Sequence, residues 1–289
     1  MNFDAVEINR PRGMPQGMPL GNASNELPEQ WLHLNSDLVV RNVRVAKLMS
    51  FPAAAGSEVK NESIIIAPGG GMMVMAIAHE GVSLAEKFSA LGYDAYVLQY
   101  RLNFTPHDND EFKKHCSNFY SKLLKDDFGN ANADLDVQDA VEDLKEAVST
   151  IKSHISKAHA SIHFLGFSAG ALIGRQYISE NPIDHDLCSL GLIYGDLTTM
   201  NIHSPRLPHL FGVMASDDPL FSRKGVGIIQ TWHEHQLDPE LHFFRNGGHG
   251  FGDRTNGNTS DAWLNLYTEW LKNVTTVTSK ESHAIKTTS

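Results

Sequence analysis

Gly166-Phe167-Ser168-Ala169-Gly170 sets a serine between two glycines, with an apolar run, Ile162 to Phe167, entering it and a helix-like segment, Ala169 to Ser179, leaving it. A serine on a sharp turn between strand and helix exposes its hydroxyl, and the flanking glycines lack the Cβ that would hold the two elements apart. Such a hydroxyl can attack a carbonyl carbon once a base takes its proton. A neutral imidazole suits that task. Of the 15 histidines, His249 sits in a glycine-rich loop, Gly247-Gly248-His249-Gly250, behind the apolar run Leu241 to Arg245. His163 and His242 fall at the start of or within predicted strands. His233 and His235 are two apart on a predicted helix, off the common face that a metal site needs. A carboxylate is required to hold the imidazole tautomer, and Asp217-Asp218 follow the run Leu210 to Ala215. Attack makes the carbonyl oxygen negative, so main-chain donors are needed as well. Pro68-Gly69-Gly70-Gly71 follows Ile64 to Ala67, and the amides of Gly70, Gly71 and Ala169 are the candidates to surround that oxygen.

These residues are useful only if the elements bring them together. Short β-rich runs recur at Leu38 to Met49, Ile64 to Ala67, Ala95 to Tyr100, Ile162 to Phe167, Leu190 to Tyr194, Leu210 to Ala215 and Leu241 to Arg245. Most are apolar on both faces, as strands buried between helices are. Helical periods lie between them: Val137, Ala140, Val141, Leu144, Val148 and Ile151 share one face, and Trp263, Leu266, Tyr267, Trp270 and Leu271 share another. Strands alternating with helices predict an α/β fold, a doubly wound and mostly parallel sheet flanked by helices. Open sheets of that kind bind ligands beyond the carboxyl ends of their strands, where all four motifs lie. At 289 residues one domain is expected over 36–274. Residues 1–35, with Pro11, Pro15, Pro19 and Pro28, read as an irregular arm, and 275–289 as a loose polar tail. No internal repeat is visible. Gly225-Val226-Gly227 lacks both the preceding strand and the third glycine of a phosphate loop.

The chain order of glycine loop, serine, aspartate and histidine is that of the α/β-hydrolases and differs from that of two other serine-hydrolase folds. At these positions the chain resembles that superfamily, and within it the acetyl esterase and hormone-sensitive-lipase-like carboxylesterases whose glycine loop reads Pro-Gly-Gly-Gly. The resemblance spans roughly Ile64 to Leu271. It implies a Ser168, Asp218 and His249 triad, because the aspartate before the turn into the next helix is the functional one in similar proteins and Asp218 precedes Pro219. Asp217 remains an alternative, and so does Asp196, since some hydrolases take their acid from the earlier strand end. The resemblance also implies that Gly70 and Gly71 join Ala169 in the oxyanion hole. Two departures stand out. Met72 occupies a position that is often aromatic, and Gly195 to Pro208 is too short for the usual cap. Instead Asn103 to Asp134 forms a long insert with Phe112, Cys116, Phe119, Tyr120 and Leu123 at helical spacing. That insert (103–134) is expected to act as a lid, bordering the substrate site together with the N-terminal arm.

Bulk properties narrow the partners. A formal charge of -10 with scattered lysine and arginine provides no basic stripe for nucleic acid. The longest apolar stretch, Ile64 to Ala78, is too short to span a membrane and is broken by Pro68 and three glycines. Two cysteines cannot form a disulfide framework, and the first residues show no signal-peptide pattern, so a cytoplasmic protein is expected. The leading expectation is a serine esterase acting on short-chain acyl or carbohydrate O-acetyl esters, using no metal and no cofactor and taking a small-molecule ester as its partner. A homo-oligomer is compatible with everything above. A thioesterase, a peptidase or an acyltransferase could use the same residues, and a noncatalytic ligand-binding protein could use the same scaffold.

Overall fold

The computed structural model describes residues 4–21, 28–125, 136–154, 161–181, 185–202 and 206–274. Six parallel strands form its centre: β6 (Glu62–Ala67), β8 (Asp94–Gln99), β9 (Ser161–Phe167), β10 (Ser189–Ile193), β11 (His209–Ala215) and β12 (Glu240–Phe244). They lie in the order β12-β11-β10-β9-β6-β8, and β5 (Lys47–Phe51) and β2 (Met18–Pro19) extend the sheet antiparallel beyond β8. The central strands are nearly uniformly buried, Ile64, Ile65 and Ile66 completely so, which is why they read as continuous apolar runs with no alternation. Helices flank the sheet. The helix over residues 263–274 meets α1 (Ser83–Ala90) through Tyr267 and Phe88, whereas α3 (Gln138–His154) packs against α4 (Ala169–Glu180). Between α1 and α3 lies α2 (Asn109–Leu124), and α5 (Ile228–Glu234) precedes β12. Among the described residues no helix is long and apolar enough to cross a membrane.

Topology places the motifs together. The chain runs outward from β6 to β8 and then crosses back to β9 on the other side of β6, so the winding direction reverses between β6 and β9. A reversal opens a crevice at the carboxyl ends of the two strands, and the glycine loop and Ser168 emerge there. Register levels these ends: Ala67 pairs with Gly166, Phe167 with Ile193, and Ala215 with Phe244.

A second, smaller antiparallel sheet has the order β1-β3-β4-β7, formed by Ala5–Ile8, Gln30–Leu34, Asp37–Arg41 and Val74–Met75. It corrects two expectations. Residues 1–35 are not an irregular arm throughout, because β1 and β3 pair through four residues and a boundary at 35 cuts the β3-β4 hairpin at its turn. That turn is Asn35-Ser36, with φ of 49° and 70°, the left-handed pair that matches the twist of a two-residue hairpin. The prolines lie outside β1 and β3; composition marked the connections and concealed four- and five-residue strands whose partners are distant or newly turned. Likewise Leu38 to Met49 is two strands in two sheets, broken at Asn42, where φ is 54°.

The insert does not float. Its leading segment is bound by the buried Arg41, which donates to Pro106 O, to His107 O at 2.8 Å and to Thr105 Oγ1 at 3.2 Å, with its guanidinium 4.2 Å from the Phe112 ring centroid. Asn42 adds hydrogen bonds to Thr105 N and O. The expected helical face exists in α2, which buries Phe112, Cys116 and Leu123. The rest of the expected lid, 126–134, and the tail 275–289 lie outside the described residues.

Candidate active site

Ser168 stands between β9 and α4 with φ 49° and ψ -110°, a conformation that costs a non-glycine residue about 1–3 kcal/mol and persists only where the surroundings enforce it. Here they do. Its N–H is held by Ile193 O at 3.0 Å, and the helix that follows crosses so close to β6 that a Cβ on Gly170 would lie 2.0 Å from Ala67 O. The side chain does not cap α4. Its Oγ lies instead 2.8 Å from His249 Nε2.

The other ring nitrogen, His249 Nδ1, lies 2.8 Å from Asp218 Oδ2. Asp218 is buried, and its Oδ1 accepts the N–H groups of Leu220 at 2.7 Å and Phe221 at 3.1 Å, so its ring-facing oxygen is aimed by the turn that follows. Tyr194 and Phe221 pack against the imidazole, with centroids 5.1 Å and 5.7 Å away. Asp217 faces elsewhere and accepts Gly248 N–H at 2.8 Å. Asp196 lines a cavity that Ser168 and His249 also line, but it accepts Thr198 N–H, two residues on. Of the three candidate acids, the structure therefore brings Asp218 to the imidazole. A hydroxyl, an imidazole and a carboxylate in one line can relay a proton from the hydroxyl to the ring while the carboxylate stabilises the resulting imidazolium.

Gly70 and Gly71 stand opposite, at φ of 133° and 63°. A Cβ on Gly70 would sit 2.0 Å from Val74 O, so the loop must fold back on itself there. Its far end is fixed by β7, whose Val74 pairs with Arg41 of β4, so the small N-terminal sheet holds the glycine loop in place. Gly70, Gly71, Ser168 and Ala169 all line one cavity. Ala169 opens α4, where the first amides of a helix have no intrahelical acceptor and the helix dipole is positive.

No family model matches the sequence, and no curated protein matches it. Solved structures do resemble its fold. An acetyl ester-xyloside bifunctional hydrolase from Caldicellulosiruptor lactoaceticus superposes with a TM-score of 0.63 at 19% identity, covering 91% of this chain and 98% of that one. A carboxylesterase from Lactobacillus plantarum gives 0.54 at 15% identity over 94% and 98%, and an alpha/beta hydrolase enzyme from a Medee basin deep-sea metagenome library gives 0.56 at 17% over 94% and 98%. The chain has the α/β-hydrolase fold.

Within this hydrolase fold, a cavity of about 500 Å³ lies in front of Ser168. Phe119, Tyr120, Leu123 and Leu124 of α2 wall it, and Leu34 and Asn35 of the β3-β4 hairpin reach it from the N-terminal sheet. Insert and arm therefore both border the cavity. Its polar end holds Asp37, His79 and Arg254, with Arg254 Nη2 2.6 Å from Asp37 Oδ2. Among the described residues no three His, Cys, Asp or Glu side chains gather as a metal site.

Sequence reasoning missed Glu80. It lies on a π-helical turn, Ala78–Val82, and is buried; burial alone would raise its carboxyl, but hydrogen bonds from His79, Tyr194 and the Gly69 N–H outweigh that and hold it below the ordinary glutamate value. The available signal was a lone acid shortly behind the glycine loop in a mainly apolar stretch, since π-turns and buried charges concentrate at functional sites.

Proposed function

We propose that the protein is a serine carboxylesterase that hydrolyses short-chain acyl esters, carbohydrate O-acetyl esters among them, through an acyl-enzyme on Ser168. One observation carries the reading: Ser168 Oγ, His249 and Asp218 form a continuous hydrogen-bonded line at an apolar-walled cavity. Structural neighbours bearing hydrolase and carboxylesterase names support it.

In the first half-reaction, Ser168 Oγ bonds to the ester carbonyl carbon as its proton passes to His249 Nε2, and Asp218 stabilises the imidazolium. The carbonyl electron pair moves onto oxygen, where the amides of Gly70, Gly71 and Ala169 are the donors in this reading. Collapse of that tetrahedral species breaks the bond to the alcohol oxygen, which leaves with the proton from His249. Water then attacks the acyl-enzyme by the same route, releasing the carboxylic acid and restoring Ser168. Every step uses groups of this chain and water.

Turnover of p-nitrophenyl acetate by the wild type and by Ser168→Ala tests the reading. The variant should lose on the order of a millionfold in kcat, as removal of such a nucleophile does elsewhere. Equal rates would overturn it.

A further inference from the structure

Glu80 takes no part in the chemistry above, yet its two oxygens serve the two loops that do. Oε2 accepts the Gly69 N–H at 2.6 Å, immediately before Gly70 and Gly71. Oε1 accepts the Tyr194 O–H at 2.8 Å, with His79 Nε2 3.5 Å away. The Tyr194 oxygen in turn accepts the Gly252 N–H at 3.0 Å, and the Tyr194 ring packs edge-on against His249 and Phe251. The contacts thus run unbroken from the glycine loop to the histidine loop beneath the reacting hydroxyl.

Both loops need such support. Gly70, Gly71, Gly248, Gly250 and Gly252 are all at positive φ, so these segments lack the side-chain restrictions that would hold a shape by themselves. Donors to a developing oxyanion must sit within about 2.7–3.1 Å of it, and a displacement of about 1 Å can cost about a hundredfold in rate. The glycine loop is secured behind by β7 and in front by the Gly69 N–H and by Pro68 O, which accepts the Tyr100 O–H at 2.6 Å, whereas the histidine loop is secured by Asp217 at Gly248, by Tyr194 and Trp263 at Gly252, and by the Asp253 N–H, which His79 O accepts at 2.9 Å.

We propose that Glu80 and Tyr194 form a buried tether that sets the separation between the oxyanion amides and His249, which makes both of them positioning residues for acyl transfer. The kinetic consequence rests on the esterase reading; the tether itself does not. Glu80 itself reaches the cavity, but α2 and the β3-β4 hairpin supply its apolar walls, so substrate binding is left largely intact when the tether is cut.

Tyr194→Phe removes the hydroxyl and keeps the ring, and Glu80→Gln keeps the shape but leaves a single acceptor oxygen to serve the surrounding donors. Both are assayed on p-nitrophenyl acetate, with competent sites counted by stoichiometric phosphorylation with an organophosphate, so that loss of folded protein does not enter. Each variant should lose about 10- to 100-fold in kcat per site with KM within about twofold. The double variant should lose no more than the worse single one, because both cut one chain. Losses that multiply, or a rise in KM at unchanged kcat, would overturn the proposal. Amide hydrogen exchange reads the tether without any substrate: protection at Gly69 should fall at least about tenfold in Tyr194→Phe, although Tyr194 does not touch that amide. Unchanged protection at Gly69 also overturns it, and Tyr194→Phe suffices for both measurements if Glu80→Gln does not fold. A wild type inert towards the ester refutes the functional reading and leaves the exchange result to decide the tether.

Discussion

Asp217 and Asp218 are consecutive in the chain and hold different parts of one loop: Asp218 Oδ2 lies 2.8 Å from His249 Nδ1, and Asp217 Oδ1 accepts the Gly248 N–H at 2.8 Å. One orients the ring, the other the backbone beside it. Asp218→Asn turns an acceptor towards Nδ1 into a group that can present a donor, which favours the wrong imidazole tautomer. It should lower kcat by roughly ten-thousandfold, the loss known for the equivalent change in a serine protease. Asp217→Asn retains an acceptor oxygen and should cost less than about tenfold. Steady-state kinetics on p-nitrophenyl acetate compares the two, and the reverse order would reassign the acid.

Phe119 bears on acyl size. A Cβ on Gly71 would lie 3.1 Å from Phe119 Cε1, so this ring closes the cavity directly against the glycine loop. Phe119→Ala should raise the ratio of kcat/KM for p-nitrophenyl butyrate over the acetate by about tenfold or more, since each methylene accommodated in an apolar pocket is worth about 1–3 kcal/mol. A ratio that stays constant would move the acyl group to another wall.

The tyrosines bear on alkaline stability. All seven have raised values, burial being the largest cause for each, with Tyr120 pushed up to about 12 and Tyr194 well above the ordinary value. A group whose folded value exceeds its unfolded one stabilises the fold fully below the unfolded value, near pH ~10, and loses that contribution as the pH rises towards the folded value. Stability should therefore decline above about pH 10. Phenolate absorbance should appear together with loss of tertiary circular dichroism. Ionisation of Tyr93, Tyr100, Tyr177, Tyr194 and Tyr267, the five buried ones, near pH 10 in a still-folded protein would contradict their burial.

The central strands were legible from composition because a strand buried on both faces has nowhere to put polar residues: Ile64 to Ala67 and Leu210 to Ala215 carry that constraint locally. The Ser168 turn was legible for a similar reason, since Gly170 must pass Ala67 O with no room for a Cβ. The small sheet was not. Ala5–Ile8 and Val74–Met75 are four and two residues long, and each is a strand only because a partner far along the chain supplies its hydrogen bonds.

Residue type and order along the chain determined the doubly wound sheet, the serine turn, the glycine loop and the histidine loop, because each is dictated by sterics or burial within a few residues. Tertiary structure alone decided which of three aspartates meets the imidazole, and it alone disclosed Glu80 and Tyr194 beneath the site. Those choices depend on distances between segments up to 114 residues apart, and such distances are set by packing of the whole sheet and not by any local preference.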